Sequence, residues 1–165
     1  MNHTESLRIV PSGDRALVIE RTFDAPAALV WRAMTEPHLL RRWMSGPPGW
    51  SMSECENNLT VGGTFRHVWT GPEGARMAMS GEYREIDAPR RVVRTERFEF
   101  GCENQAGEQL GTLELRELPG DRSAVHIHVL YPSAEARDGA LGSGMEQGMA
   151  AGYQQLDALL GDVQA

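Results

Sequence analysis

The sequence predicts an α+β domain in which a curved antiparallel sheet of about six to seven strands wraps around a long C-terminal helix. Three observations indicate this class. One strand pattern precedes two short helical patterns, the middle of the chain alternates like strands with hairpin-length connections, and the C-terminal part has helical periodicity. A sheet with one apolar face needs a cover, and only the last helix is long enough to provide it.

The first elements are a strand and two short helices. Residues 15–23 alternate apolar and polar side chains, as a strand with one buried face does. Asp24 is the expected N-cap of a helix over residues 25–35, whose first turn contains a proline, where a missing N–H is harmless. Pro37 begins a second short helix that ends before the turn signal SGPPG.

The middle of the chain is typical of an antiparallel meander. Connections such as GPEG, DAPR and PGD separate stretches of strand composition. Ser133 is then the expected N-cap of a helix that runs from residue 134 to residue 160 without a break. The predicted strands of the meander cover residues 50–56, 63–69, 75–86, 91–100, 109–118 and 123–131.

We expect residues 14–165 to form a single domain, because a chain of 165 residues is long enough for one core. Residues 1–13 are polar and aperiodic, which predicts a flexible tail or a short edge extension. No secretion signal is visible, so a cytoplasmic location is expected. Cys55 and Cys102 form no CxxC pair and are interpreted as small hydrophobic residues of a reducing compartment.

The charge pattern excludes several classes of partner and chemistry. A net charge of −7 without clustered basic residues argues against nucleic acid and against an anionic membrane surface. No apolar run approaches the roughly 18 residues of a membrane span. All sixteen basic residues are arginine, so neither Schiff-base chemistry nor a Walker-type lysine is available.

The last helix contains an unusual stretch, GALGSGMEQGMAAGY, at residues 139–153. Each interior glycine costs about 1 kcal/mol relative to alanine. Helical projection places Gly148 and Gly152 on the stripe that faces the sheet, in line with Met145 and flanked by Met149 and Tyr153. The glycines either let a strand approach closely or leave room for a ligand, and the spacing leaves both interpretations open.

Strand parity places one carboxylate against the concave interior. Glu96 shares a face with Phe98, and a buried carboxylate needs a partner or a raised pKa. The candidate partners are His67, Arg94 and Tyr83. The alternative is a parity shift across a bulge, which would leave Glu96 in solvent.

Further aromatic and histidine residues have weaker assignments. Trp43, beside a Gly/Pro loop, is interpreted either as a gate over the cavity mouth or as part of a helix packed on the sheet. His126 and His128 could chelate zinc, but they alternate with inward apolar residues and should face water, so no metal is expected. Nucleophile elbows, HExxH and phosphate loops are absent, and Glu96 and His67 are the sole candidates for moving a proton.

Four stretches together resemble a known family: RTFDAPAALVWRAMTEPHLLRRWM, VGGTFRHVWTGPEG, GEYREIDAPRRVVRTERFE and LYPSAEARDGALGSGMEQGMAAGYQQLDALL. The chain resembles the bacterial branch of the SRPBCC, or START-like, superfamily, and more narrowly the proteins named after the activator of the ninety-kilodalton heat-shock protein ATPase. The resemblance implies a helix-grip (START/Bet v-like) fold with a deep hydrophobic cavity between the sheet and the C-terminal helix. The superfamily includes carriers, cyclases and cochaperone domains, so the fold alone names no function.

The sequence therefore predicts a protein that binds a hydrophobic or aromatic small molecule. One alternative is a cyclase or hydratase that uses the same cavity, and another is a module that activates a chaperone ATPase. No cofactor is expected, a homodimer is a reasonable guess, and a chaperone partner is not favoured but stays open. The predicted cavity residues are Trp43, His67, Trp69, Met79, Tyr83, Glu96, Phe98, Met145, Gly148, Met149 and Tyr153.

Overall fold

The computed structural model describes residues 7–100, 103–104 and 107–164. It confirms the α+β class: an open antiparallel sheet is covered on one face by four helices, the last of which is the longest. Cys102 lies outside the described residues.

Within these described residues the sheet has nine strands, eight of them in the order β1-β2-β9-β8-β6-β5-β4-β3, with the two-residue β7 paired to β6. All neighbouring strands are antiparallel. The predicted meander is therefore confirmed, and the additional strands are β1 and β7. The bounds are β1 Arg8–Ser12, β2 Ala16–Phe23, β3 Ser51–Asn57, β4 Thr64–Thr70, β5 Arg76–Asp87, β6 Arg91–Phe100, β7 Glu103–Asn104, β8 Gln109–Leu118 and β9 Arg122–Leu130.

Part of the predicted N-terminal tail is a strand. Arg8–Ser12 pairs with β2 and forms one edge of the sheet, which corresponds to the short edge extension rather than to a loose segment. Pro11 is tolerated there because an edge strand has one side that makes no ladder hydrogen bonds. The rest of the predicted tail, residues 1–6, lies outside the described residues.

The two short helices are α1, Ala27–Thr35, and α2, Pro37–Trp43. The prediction that Asp24 caps α1 is wrong. The backbone N–H of Ala27 donates to the carboxylate of Glu117 on β8 instead, and Asp24 accepts a 3.0 Å hydrogen bond from Arg122. A carboxylate from the sheet thus satisfies the start of the helix, an arrangement that spacing along the chain cannot reveal.

The predicted single helix over residues 134–160 is two helices, α3 at Ala134–Leu141 and α4 at Met145–Gln164. The Ser133 cap is confirmed, since its hydroxyl accepts a hydrogen bond from the N–H of Ala136. The break occurs because Gly144 has a φ of +85°, a left-handed conformation that a continuous helix cannot contain.

The two halves of α4 pack differently. Its C-terminal half is anchored in the main core, where Tyr153, Leu156, Leu159 and Leu160 are buried against α1, α2 and the sheet. Its N-terminal half is half-exposed and rests on a smaller apolar cluster on β2 and β9. The C-terminal half of α4 is therefore more deeply buried than its N-terminal half.

The helix glycines do not face the sheet as the projection predicts. Gly148 is exposed, and a Cβ there would meet nothing within 4 Å. A Cβ at Gly152 would lie 3.9 Å from the ring of Trp43, which is ordinary contact. Gly148 therefore neither allows a close approach of a strand nor lines the cavity.

Candidate ligand site

A cavity of about 110 Å³ lies between the sheet and the helices. It is partly open to solvent and its surface is mostly apolar. For comparison, a dry apolar cavity of about 150 Å³ in another protein binds benzene, so the volume here is of the same order but smaller. The lining residues are Met34, Thr35, Trp43, Met44, Tyr83, Val92, Arg94, Glu96, Gly111, Thr112, Leu113, Ile127 and Tyr153.

The polar part of the cavity wall is an ion pair on β6. Arg94 and Glu96 are two residues apart and therefore on the same face of the strand, and the Arg94 Nε donates to a Glu96 carboxylate oxygen at 2.9 Å. The two side chains are 21% and 12% exposed, respectively. Gln109 on β8 donates to the other Glu96 oxygen at 2.9 Å. The inward orientation expected from parity is therefore present, and the carboxylate has a partner on each side.

Gly111 makes the space that Glu96 occupies. It lies on β8 opposite Arg94, and a Cβ at this position would stand 3.1 Å from the Glu96 carboxyl carbon and Oε2. Contacts this short are rare for real side chains, so any larger residue would push the carboxylate. This glycine has a spatial reason to be in the middle of a strand, where glycine is otherwise unfavourable.

A hydrogen-bonded network continues from this ion pair to α1. The charge of Arg94 acts on the Tyr83 hydroxyl, which in turn donates to the Asn57 side-chain oxygen. The Asn57 amide nitrogen donates to the carbonyl of Thr35 at 2.6 Å. The network joins β8, β6, β5 and β3 to the end of α1, so the cavity wall is braced from both sides.

Burial and neighbouring charges shift the pKa values of several groups around this ion pair. It raises the pKa of Tyr83, although the nearby Arg94 guanidinium opposes the shift. Burial alone would lower the pKa of Arg94, but Glu96 and Tyr83 outweigh it, and the net shift is upward. Burial also raises the pKa of Tyr131 to about 12, with a contribution from the Glu96 charge. Arg94 is therefore charged and the tyrosines neutral near pH 7.

Trp43 and Tyr153 form the aromatic wall of the cavity. Their ring centroids are 6.0 Å apart, and both residues are buried. The Trp43 indole N–H donates to the carbonyl of Ala33 at 2.8 Å, which fixes the ring against α1. Of the two interpretations of Trp43, the packed helix fits its burial, and its ring also contributes to the lining.

The structure brings together four of the predicted cavity residues and separates the others. Trp43, Tyr83, Glu96 and Tyr153 line the cavity. Trp69 is buried, and its indole N–H donates to the Met44 carbonyl at 2.7 Å. The predicted residues that pack elsewhere, in the main core or along α4, are His67, Trp69, Met79, Phe98, Met145, Gly148 and Met149.

The two candidate proton-transfer residues are in different surroundings. Glu96 lines the cavity, whereas His67 lies deeper in the sheet between Phe65 and Trp69, whose ring centroids are 5.3 and 6.0 Å away. Burial, together with the nearby charge of Arg94, lowers the pKa of His67 to about 3, so its imidazole is neutral near pH 7. The pair therefore does not form one catalytic centre.

A buried ion pair that the sequence interpretation missed holds α4 to β2. Arg21 donates two 2.7 Å hydrogen bonds to the carboxylate of Asp157, and its side chain is 1% exposed. Its guanidinium also lies 4.6 Å from the ring centroid of Phe23. Strand parity carried the signal, because Arg21 shares a strand face with Ile19 and Phe23, which are buried.

His126 and His128, the histidine pair considered for zinc, lie on β9. In the part of the chain that the structure describes, no three His, Cys, Asp or Glu side chains are placed to share an ion. His126 lies 4.0 Å from a Glu20 carboxylate oxygen, and its side chain is 45% exposed. Within the same ranges, no helix is both long and apolar enough to cross a membrane.

Comparison with known proteins gives one family. The profile described as Activator of Hsp90 ATPase homolog 1-like protein matches residues 24–161. No curated protein matches the sequence.

Solved structures of bacterial proteins have the same fold. A protein from Rhodobacter sphaeroides is 34% identical, with a TM-score of 0.85 over 94% of this chain and 98% of its own. One from Arthrobacter aurescens is 27% identical, with a TM-score of 0.81 over 95% and 92%. One from Mycobacterium smegmatis is 25% identical, with a TM-score of 0.81 over 93% and 95%.

Proposed function

We propose that this chain, which belongs to the family of Activator of Hsp90 ATPase homolog 1-like proteins, binds a small aromatic or otherwise apolar molecule in the cavity between sheet and helices. The observation that carries the proposal is a mostly apolar cavity whose polar wall is the Arg94–Glu96 pair. Ligand sites commonly combine apolar walls with a few fixed polar groups.

The charge balance of the wall selects among ligands. Arg94 and Glu96 neutralise one another at 2.9 Å, so an anionic ligand would gain from one side chain and be repelled by the other. A neutral ring with a hydroxyl or amide group has no such conflict. Arg94 has five N–H donors and Glu96 about four lone-pair sites. Each side chain can therefore make a hydrogen bond to a ligand in addition to the hydrogen bonds that it already makes.

Two other functions considered from the sequence gain less support. Proton-transfer chemistry would rely on Glu96 or His67: His67 does not line the cavity, and the Glu96 carboxylate already accepts from Arg94 and Gln109. A chaperone-binding module would need an exposed apolar patch. The large apolar residues that are exposed within the described ranges are the isolated Val10, Val61 and Val163.

The test is a binding titration with single-ring probes. Phenol, benzamide and benzoate, each at millimolar concentration, are followed by amide chemical shifts of the ¹⁵N-labelled protein. We expect saturable shifts around the cavity with phenol and benzamide, and weaker shifts with benzoate. Leu113→Phe fills the cavity and should abolish these shifts.

The matched control is Leu110→Phe on the same strand, where the side chain has the opposite parity and does not line the cavity. This variant should bind like the wild type. Glu96→Gln keeps the shape of the wall and should weaken phenol binding about tenfold, through loss of one charge-assisted hydrogen bond. Equal binding by the wild type and Leu113→Phe would refute the proposal.

A further inference from the structure

Three side chains that can ligate a soft metal ion form one row across the edge of the sheet. Cys55 on β3 pairs directly with His67 on β4, and His67 pairs directly with Met79 on β5. Directly paired residues of an antiparallel sheet point to the same face, with Cβ atoms roughly 4.5–5.5 Å apart. The row therefore places a thiol, an imidazole and a thioether side by side, with the imidazole in the middle.

The imidazole has no partner in this surrounding. His67 is 2% exposed, and neither Nδ1 nor Nε2 makes a hydrogen bond. A buried polar group without a partner costs about 1–3 kcal/mol, and such a group needs an explanation. Cys55 and Met79 are also buried, at 8% and 6% exposure. An ion bound to one ring nitrogen would supply the missing interaction of that nitrogen.

The ligand types and the charge of the site select the ion. Thiolate and thioether sulfur favour soft ions such as Cu(I). Loss of the Cys55 thiol proton gives a ligand set of charge −1, and a monovalent cation makes this set neutral. A divalent ion would leave a net positive charge in the core, which is costly at low dielectric. Zinc would also lack the fourth ligand that its structural sites have.

We propose that Cys55, His67 and Met79 form a binding site for one Cu(I) ion, independent of the ligand cavity. Binding is an exchange without change of oxidation state: the sulfur–hydrogen bond of Cys55 breaks, a sulfur–copper bond forms, and the proton leaves to solvent. One His67 nitrogen and the Met79 sulfur complete the three ligands. β3, which carries Cys55, is the outermost strand at this edge of the sheet.

The test is an anaerobic titration of the purified protein with Cu(I) in competition with the chromophoric chelator bicinchoninate. The wild type should withdraw one equivalent of Cu(I) from the chelator. Cys55→Ser should lower the affinity at least about 100-fold, because even residues that only support metal ligands contribute 10–100-fold. Met79→Leu, which keeps the volume, should lower it about tenfold.

Cys102→Ser is the control for thiol chemistry and should bind Cu(I) like the wild type. Titration of the wild type with Ag(I), a diamagnetic ion of the same charge and softness, should shift one ¹⁵N resonance of His67 and leave the other histidines unchanged. This measurement needs no variant, so a misfolded substitution cannot decide the outcome. Failure to compete with bicinchoninate, loss of binding in Cys102→Ser but not in Cys55→Ser, or tighter binding of Zn(II) would each overturn the site.

Discussion

Removal of the Asp157 charge should destabilise the protein through the buried guanidinium that it leaves behind. The Arg21 side chain is 1% exposed, and it donates two 2.7 Å hydrogen bonds to this carboxylate. These bonds compensate the buried positive charge. Breaking a buried ion pair by removing one partner typically costs about 3–5 kcal/mol. Asp157 is 25% exposed, so water can partly replace it. We therefore expect Asp157→Asn to cost about 2–4 kcal/mol.

The assay is urea unfolding followed by tryptophan fluorescence, with the free energy of unfolding taken from the linear dependence on urea. The matched control is Asp87→Asn. Asp87 also accepts from an arginine, Arg90, at 3.0 Å, but both side chains are mostly exposed, at 58% and 72%. Exposed pairs contribute about 0–1 kcal/mol, so this variant should lie close to the wild type.

The double variant Arg21→Met, Asp157→Leu separates charge from packing. It removes both charges and keeps apolar volume, and such replacements are often neutral or stabilising. It should therefore be more stable than Asp157→Asn alone. If Asp157→Asn unfolds within about 0.5 kcal/mol of the wild type, the range of ordinary surface substitutions, the pair does not hold α4 to β2.

Three further predictions concern Gly148, Gly111 and Tyr131. Gly148→Ala should raise the melting temperature by about 2–4 °C, since it gains roughly 1 kcal/mol of helix propensity and meets nothing within 4 Å; a lower melting temperature would contradict the open surroundings. Gly111→Ala should cost about 1 kcal/mol, because Arg94 and Gln109 hold the carboxylate that its Cβ would push, and adding Glu96→Ala should relieve that cost; additive effects would contradict the clash. The raised pKa of Tyr131, about 12, means that the folded state retains this proton above pH 10, where the unfolded state loses it. Stability should therefore fall by about 2–3 kcal/mol between pH 10 and 12, with a shallower fall in Tyr131→Phe; identical slopes would contradict the assignment.

Local chemistry made most of the sheet predictable. Turn residues separate the strands, and the alternation within each strand decides which side chains face inward, which correctly oriented Glu96 toward the helices. The same alternation would have identified Arg21 as a buried cation. Its partner, Asp157, lies 136 residues away in sequence, and no local pattern connects the two.

The extent of the cavity was harder to predict, because it depends on how the helices are placed over the sheet. His67 faces inward as expected, but it does not line the cavity. The last helix was predicted without its break, because helical periodicity continues through residues 142–144 although Gly144 is left-handed. Met145 and Gly148, in the first turns of α4, are not among the residues that line the cavity.

Helix α4 is clamped to the sheet in its C-terminal half, whereas its N-terminal half is only half-buried. The clamp is Asp157, bonded to Arg21, and Tyr153 in the cavity wall is only about 6 Å from it along the helix axis. Met145, beside the left-handed glycine, is about 18 Å away. The part of the cavity wall that α4 provides therefore lies beside this clamp, in the buried half of the helix, and not in the half-exposed part near Met145.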